Sequence, residues 1–216
     1  NIASQNKTIR EKSLKHVKKA ILFSKKINAQ LYTFHPGFLT DPDGSNISNK
    51  NYDFLWNKKK LLTSSYNKSW KLMIHSIKKI ARYAKEKNIK IAIETEGSIN
   101  SKNHLLMQRP AEYKKFFRIF KKKDIGINLN IGHLNLASIA FNFDKIKFIK
   151  NISNRIVAME LSHNHGKNDD HLPIKKNAWY WKIIKNKKFK NIPKILEFRN
   201  TSIKKIKNTY KLVNKD

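Results

Sequence analysis

The sequence predicts an α/β fold in which successive βα units build a parallel sheet, either as a barrel or as a doubly wound sheet. Five short apolar runs rich in β-branched residues predict strands, and a helical pattern separates each run from the next. No glycine-rich phosphate-binding sequence follows any of these strands, which counts against a dinucleotide-binding doubly wound sheet. With 216 residues, 39% of them hydrophobic, the chain can bury a sizeable core as one domain.

The first predicted unit begins with a helix at residues 9–27, where Leu14 and Ile21 lie on an apolar face between lysines. A short strand follows at residues 30–35. Residues 36–64 are predicted to form a long polar loop, because this segment opens with a Pro-Gly pair and soon contains Asp-Pro-Asp-Gly. Loops of this length usually have a function, so we expect this one to act as a lid over a site.

The same pattern of a helix followed by a strand then recurs, and a final helix follows the last strand. The predicted helices are residues 70–87, 110–120, 141–149, 179–184 and 202–213. The predicted strands are residues 89–95, 125–130, 155–161 and 193–198.

The chain is strongly basic, since 47 Lys and Arg residues against 15 Asp and Glu residues leave a net charge of +32. This charge favours at least non-specific binding to nucleic acid, although a lysine bias spread along the whole chain explains it equally well. The absence of cysteine excludes disulfides and thiolate metal sites. The longest apolar runs are too short to cross a bilayer, so we expect no membrane association and a cytoplasmic location. The sequence leaves open whether the protein forms a homo-oligomer.

Each predicted strand carries a polar residue of a metal-ligand type at its carboxyl end. Because the carboxyl ends of parallel strands meet at one rim, these side chains should converge where barrel enzymes have their active sites. Carboxylates brought together in this way repel one another unless a cation lies between them, and a divalent metal is the simplest such cation. The residues are His35, Glu94, Asn130, Glu160 and Glu197.

A second group of polar residues lies further along the chain. His133, Asp169 and His171 supply three nitrogen or oxygen donors of the kind that zinc or manganese accepts. His163 and His133 are also candidates for binding substrate. Arg199, two residues beyond the last of the strand-end glutamates, could hold a substrate phosphate or hydroxyl, or it could pair with that glutamate.

Six segments together resemble the xylose-isomerase-like TIM barrel superfamily, which contains sugar and sugar-phosphate isomerases and epimerases as well as the abasic-site enzyme endonuclease IV. They occur in the family order and spread over nearly the whole chain. The segments are FHPG (34–37), IAIETEG (91–97), GINLNIGH (126–133), MELSHN (159–164), DDHLP (169–173) and ILE (195–197).

The resemblance implies a role for each matching residue. It makes Glu94 and Glu197 metal-binding carboxylates and, in the epimerase branch, the acid/base pair. It makes His35 a rim histidine of the endonuclease type. It also aligns His133, Asp169 and His171, taken together, with the triad that binds the third zinc of endonuclease IV.

The sequence departs from the family pattern at two positions. Asn130 stands where the family usually has an aspartate ligand, and Glu160 where it usually has a histidine. The expected metal set of Glu94, Asn130, Glu160 and Glu197 is therefore rich in oxygen, which favours manganese or magnesium over zinc or cobalt.

The family barrel has eight strands, whereas this sequence shows five. We therefore expect residues 1–216 to form a single (β/α)8-type domain that lacks its first three strands, so that only the last five βα units are present.

Three functions are compatible with these features. The leading prediction is a metal-dependent sugar or sugar-phosphate isomerase or epimerase that uses paired glutamates at the rim of the barrel. The alternatives are a phosphodiesterase of the endonuclease IV type on abasic DNA, and a degenerate barrel that binds carbohydrate without catalysis.

Overall fold

The computed structural model describes residues 1–45 and 54–214, which form helices and strands. None of the described helices is both long and apolar enough to cross a membrane. The helices are α1 (Lys7–Lys26), α2 (Lys58–Thr63), α3 (Tyr66–Glu86), α4 (Pro110–Ile119), α5 (Ile131–Ala140), α6 (Lys145–Ile152), α7 (Trp181–Ile184) and α8 (Ile203–Asn214). The strands are β1 (Leu31–Phe34), β2 (Gly44–Ser45), β3 (Phe54–Leu55), β4 (Lys90–Glu94), β5 (Gly126–Asn130), β6 (Ile156–Leu161) and β7 (Lys194–Leu196).

Five strands form one parallel sheet in the order β1-β4-β5-β6-β7, and each pairs with the one that precedes it in this order. The order follows the chain without reversal, as in a barrel, whereas a doubly wound sheet changes direction at its centre. The sheet is thus a parallel half-barrel. This confirms the predicted α/β class, and all five predicted strands are present.

The hydrophobic core lies between this sheet and the helices. Strand β5 is buried along its whole length, as expected where both faces of a parallel sheet are covered. From α3, Ile77 and Ile80 are fully buried, as are Phe116 from α4 and Ile93 and Ile127 from the sheet. This packing holds the carboxyl ends of the strands at a common edge.

The predicted helix at residues 141–149 is placed differently in the structure. Helix α6 begins only after Asp144, whose side chain accepts hydrogen bonds from the first free N–H groups of the helix. An additional helix, α5, directly follows β5. It is apolar and buried on most sides, so it lacks the alternation of apolar and polar residues by which an amphipathic helix is recognised.

The segment predicted as a long loop contains secondary structure in its described parts. Strands β2 and β3 pair as an antiparallel ribbon, and α2 follows them. Helix α3 begins at Tyr66, earlier than predicted, because the Ser65 side chain caps its first turn. Residues 46–53, which belong to the expected lid, lie outside the described residues.

Candidate active site

The structure brings the five strand-end residues to the same edge of the sheet. Glu94 and Asn130 are the last residues of β4 and β5, and Glu160 is the last but one residue of β6. Glu197 directly follows β7 and His35 directly follows β1. The pairing of Asn130 with Glu160 across β5 and β6 shows that these ends are level.

The Asn130 side chain lies at the point where three glutamates converge. Its amide nitrogen donates to Glu94 at 2.9 Å, to Glu160 at 3.1 Å and to Glu197 at 3.2 Å. Asn130 itself is fully buried. The amide has two N–H hydrogens, which the three carboxylates share, and charge-assisted hydrogen bonds of this kind are stronger than neutral ones, so the amide holds the three carboxylates together.

The oxygen of the Asn130 side chain has a separate partner. It accepts a 3.1 Å hydrogen bond from the backbone N–H of His133 and so caps α5. The Asn130 backbone is fixed as well, because its N–H donates to the Thr95 hydroxyl at 2.9 Å and its carbonyl accepts from that hydroxyl at 3.2 Å. The position and orientation of this amide are therefore set by the protein.

Further donors surround the glutamates. The Asn128 amide donates to Glu160 at 2.8 Å. Nδ1 of His133 lies 3.1 Å from a Glu94 oxygen, and Nε2 of His35 lies 3.7 Å from the other. His35 also contacts Glu96 through Nδ1 at 2.7 Å. The rim is consequently a network of carboxylates in which each has nearby polar hydrogens.

His133, Asp169 and His171 form a compact second group beside the glutamates. An oxygen of Asp169 lies 2.6 Å from Nε2 of His171 and 3.5 Å from Nε2 of His133. One potential ligand atom from each residue lies within 4.8 Å of the others. The second oxygen of Asp169 is buried without a hydrogen-bond partner among the described residues. The two groups are connected, because Nδ1 of His171 lies 3.3 Å from the Glu197 carboxylate.

Arg199 contacts this second group through Asp169. Its guanidinium donates to the Asp169 carbonyl at 3.2 Å and lies 3.8 Å from the Asp169 carboxylate. A cavity of about 580 Å³, lined by residues that include Asp169, Arg199, Thr201 and Lys205, opens here. Its volume lies within the usual range of small-molecule sites.

These contacts change the protonation equilibria of the site. Burial raises the pKa of Glu160 to about 7, and the neighbouring charge of Glu94 adds to this effect. At His171 burial lowers the pKa, but the contacts with Asp169 and Glu197 outweigh this effect and raise the pKa to about 9. The charge of Glu96 likewise raises the pKa of His35 to about 9. The site therefore has imidazoliums beside carboxylates, and Glu160 can exchange a proton near neutral pH.

Comparison with known proteins identifies the family. The model of the xylose isomerase-like TIM barrel matches residues 1–213. The chain belongs to this family. The chain is 22% identical over 174 residues to MJ1311, an uncharacterized protein of Methanocaldococcus jannaschii, and the matched segment covers 81% of the chain and 51% of that relative. The chain thus spans about half the length of this relative.

Two solved structures have the same fold as this xylose isomerase-like barrel. A D-tagatose 3-epimerase-like protein superposes with a TM-score of 0.71 at 21% identity, over 99% of the chain and 74% of that protein. The D-psicose 3-epimerase of Clostridium cellulolyticum H10, crystallised with D-tagatose, gives 0.65 at 12% identity, over 97% and 64%.

The two groups of residues differ in how well they suit a divalent metal in this xylose isomerase-like barrel. The two nitrogens and one carboxylate of His133, Asp169 and His171 lie close together, and the unpartnered Asp169 oxygen is available to a ligand, so this group fits. Among the glutamates the amide nitrogen of Asn130 occupies the point of convergence, and an amide nitrogen is not a metal ligand. The expected oxygen-rich set does not fit in this arrangement.

Other residues that the sequence singled out lie elsewhere or have other partners. The His163 ring packs against His165 and Tyr180, outside the network of the glutamates. Sequence reasoning also missed two members of the network, Glu96 and Asn128. Glu96 stands two residues after Glu94, and this spacing in the sequence could have placed it at the same rim. The role of Asn128, in the middle of a buried strand, follows only from its hydrogen bond to Glu160 on the neighbouring strand.

Proposed function

We propose that this protein is a sugar or sugar-phosphate isomerase or epimerase that uses Glu94 and Glu197 as its acid/base pair. The observation that carries the proposal is the approach of both carboxylates to one buried amide nitrogen at the rim, at 2.9 and 3.2 Å. Membership of the family and the fold shared with structures named as 3-epimerases support it.

The two glutamates differ in a way that suits proton transfer to and from a bound sugar. Glu94 is 7% exposed in its side chain and has fixed partners, whereas the Glu197 side chain is 43% exposed. One glutamate would remove the proton from the carbon next to the carbonyl and leave an enediolate. The other would return a proton, on the opposite face of the same carbon in an epimerase or at the neighbouring carbon in an isomerase.

His133, Arg199 and His163 are the proposed substrate-binding residues. His133 contacts both Glu94 and Asp169, and without a bound metal an imidazolium there would donate to a sugar oxygen on which negative charge develops; as a metal ligand the ring would be neutral and would act through the ion. Arg199 borders the cavity, where it would bind a hydroxyl or phosphate of the substrate. The position of His163, away from the glutamates, restricts it to contacts with a more distant part of the substrate.

A divalent metal is part of the proposal, and His133, Asp169 and His171 are the residues that would hold it. When bound, such an ion supplies a Lewis acid that stabilises negative charge on the substrate oxygens. A site with two nitrogen donors suits zinc or cobalt, whereas manganese or magnesium would require the carboxylates.

Hydrogen exchange at the substrate carbon tests the proposal directly. The full chain would be incubated in D2O with ketohexoses, D-tagatose among them, and with ketose phosphates, each with manganese, zinc or cobalt supplied. We expect deuterium from the solvent at the carbon next to the carbonyl, measured by NMR, together with the epimer or isomer. Failure of every sugar to exchange with any of the metals would contradict the proposal.

Variants of the glutamates test the assigned roles. Glu197→Gln and Glu94→Gln should each reduce exchange by about 10²–10⁴-fold, because a carboxamide cannot accept the proton. Glu86→Gln, on the exposed surface of α3, is the matched control and should not change the rate. Circular dichroism and thermal melting show whether each variant is folded. Full activity in folded Glu197→Gln would refute its role.

Phosphodiester hydrolysis at abasic sites in DNA is the second candidate. It is favoured by the compact group of His133, Asp169 and His171, with His35 also at the rim. Zinc-dependent cleavage of a duplex with one abasic site, and not of the intact duplex, would support it. Binding that depends steeply on salt but shows no preference for the abasic site would reflect only the net charge. A barrel that binds sugar without exchange would indicate the degenerate, non-catalytic alternative.

A further inference from the structure

The Asn130 side chain has two tasks that require different atoms. Its oxygen caps α5 by accepting from the N–H of His133 at 3.1 Å. Its nitrogen faces Glu94, Glu160 and Glu197 at 2.9 to 3.2 Å. A carboxylate at this position has two oxygens, so it could cap the helix with one and bind a cation with the other. A carboxamide has only one oxygen, and here that oxygen is directed at the N-terminus of α5 while the nitrogen faces the carboxylates.

Rotating the amide does not resolve this conflict. The rotated NH2 group would face the N–H of His133, so that two donors oppose each other and the first turn of α5 loses its cap. The oxygen would at the same time face three carboxylates, so that four acceptors crowd together. Loss of the N-cap destabilises the helix, and the crowded acceptors add to that destabilisation. The observed orientation is the one that satisfies both sides of the amide.

The glutamates also have donors besides Asn130, so they do not depend on a cation for partners. Glu160 accepts from the Asn128 amide at 2.8 Å. His133 lies 3.1 Å from Glu94, and His171 lies 3.3 Å from Glu197. Each carboxylate thus has a further polar group of the protein within 3.3 Å, although Nδ1 of His133 also faces the Thr95 carbonyl at 3.0 Å.

We propose that the Asn130 amide is a permanent hydrogen-bond donor in the place of a central cation, so that Glu94, Glu160 and Glu197 bind no divalent metal together. This inference concerns the donor chemistry of the site and does not depend on which sugar, if any, is the substrate. It places any tightly bound divalent ion away from the three glutamates. It also predicts that the Asn130 nitrogen is the atom that prevents the three glutamates from binding a divalent metal together.

Counting bound metal tests the proposal without an activity assay. The full chain and its variants would be titrated with Mn²⁺, bound ion would be counted by electron paramagnetic resonance, and total metal would be measured by elemental analysis. The carboxylate of Asn130→Asp can cap α5 with one oxygen and bind a cation with the other, so we expect this variant to bind one additional Mn²⁺ per chain. Asn6→Asp is the matched control, because Asn6 also caps a helix, α1, but lies exposed at the surface. It should gain no ion.

A second variant keeps the test decisive if Asn130→Asp does not fold. Glu160→Gln removes one of the three carboxylates and leaves Asn130 in place. If the proposal is correct, the wild-type chain and Glu160→Gln bind the same number of divalent ions with the same affinity. The proposal is overturned if folded Asn130→Asp gains no ion, or if Glu160→Gln loses an ion that the wild-type chain binds.

Discussion

The link between Thr95 and the backbone of Asn130 should contribute measurably to the stability of the protein. The Thr95 hydroxyl accepts from the Asn130 N–H at 2.9 Å and donates to its carbonyl at 3.2 Å, and both residues are buried. Thr95→Val keeps the shape of the side chain but removes both hydrogen bonds. Each buried group left without a partner costs about 1–3 kcal/mol, so we expect the free energy of unfolding to fall by about 3 kcal/mol. For a chain of this size that lowers the melting temperature by roughly 6–12 °C.

Urea unfolding followed by circular dichroism measures this loss. Thr63→Val is the matched control, because the Thr63 hydroxyl donates to a backbone carbonyl at an exposed position and its loss should cost less than about 0.5 kcal/mol. If Thr95→Val is as stable as Thr63→Val, the carboxyl end of β5 is held by other contacts. The reasoning that the Thr95 hydroxyl fixes the Asn130 amide would then be refuted.

Two further predictions concern packing and pH. Gly97→Ala should lower the free energy of unfolding by about 2 kcal/mol or more, because an added Cβ would lie 1.9 Å from the His133 carbonyl oxygen. Gly44→Ala is the control, because the atom nearest to its added Cβ would be 3.8 Å away. Equal unfolding curves for the two variants would contradict the predicted clash at Gly97. His171 has a folded pKa of about 9, above its usual 6.5, because of Asp169 and Glu197, so its stabilisation is complete below about pH 6.5 and is lost as pH rises through 9. The unfolding free energy of metal-free protein should therefore fall between pH 7 and 9.5, and less so in His171→Asn; equal slopes would show that His171 is not responsible.

The sequence is informative about the sheet for a physical reason. Parallel strands covered on both faces are largely apolar, so β4 and β6 stand out as short runs with β-branched residues between polar segments. A polar residue at the end of such a run has only the rim to occupy. This is why the approach of Glu94, Asn130 and Glu160 to one another could be predicted before the structure.

Helices are less predictable where burial removes the amphipathic pattern. Helix α3 has one buried face and one exposed face and was predicted to within a few residues at its start. Helix α5 is buried on most sides, so its sequence carries no period, and the Asn130 cap that starts it is visible only once β5 is known to end there.

The sequence by itself determined the parallel βα architecture and the set of polar residues at its rim, because both follow from the local alternation of apolar and polar residues along the chain. Only the tertiary structure decided which atoms of those residues meet. The nitrogen of Asn130 faces the carboxylates because its oxygen is used by α5, and Arg199 pairs with Asp169 because the loop after β6 carries that aspartate to it. Such choices depend on contacts between distant segments, which no local pattern encodes.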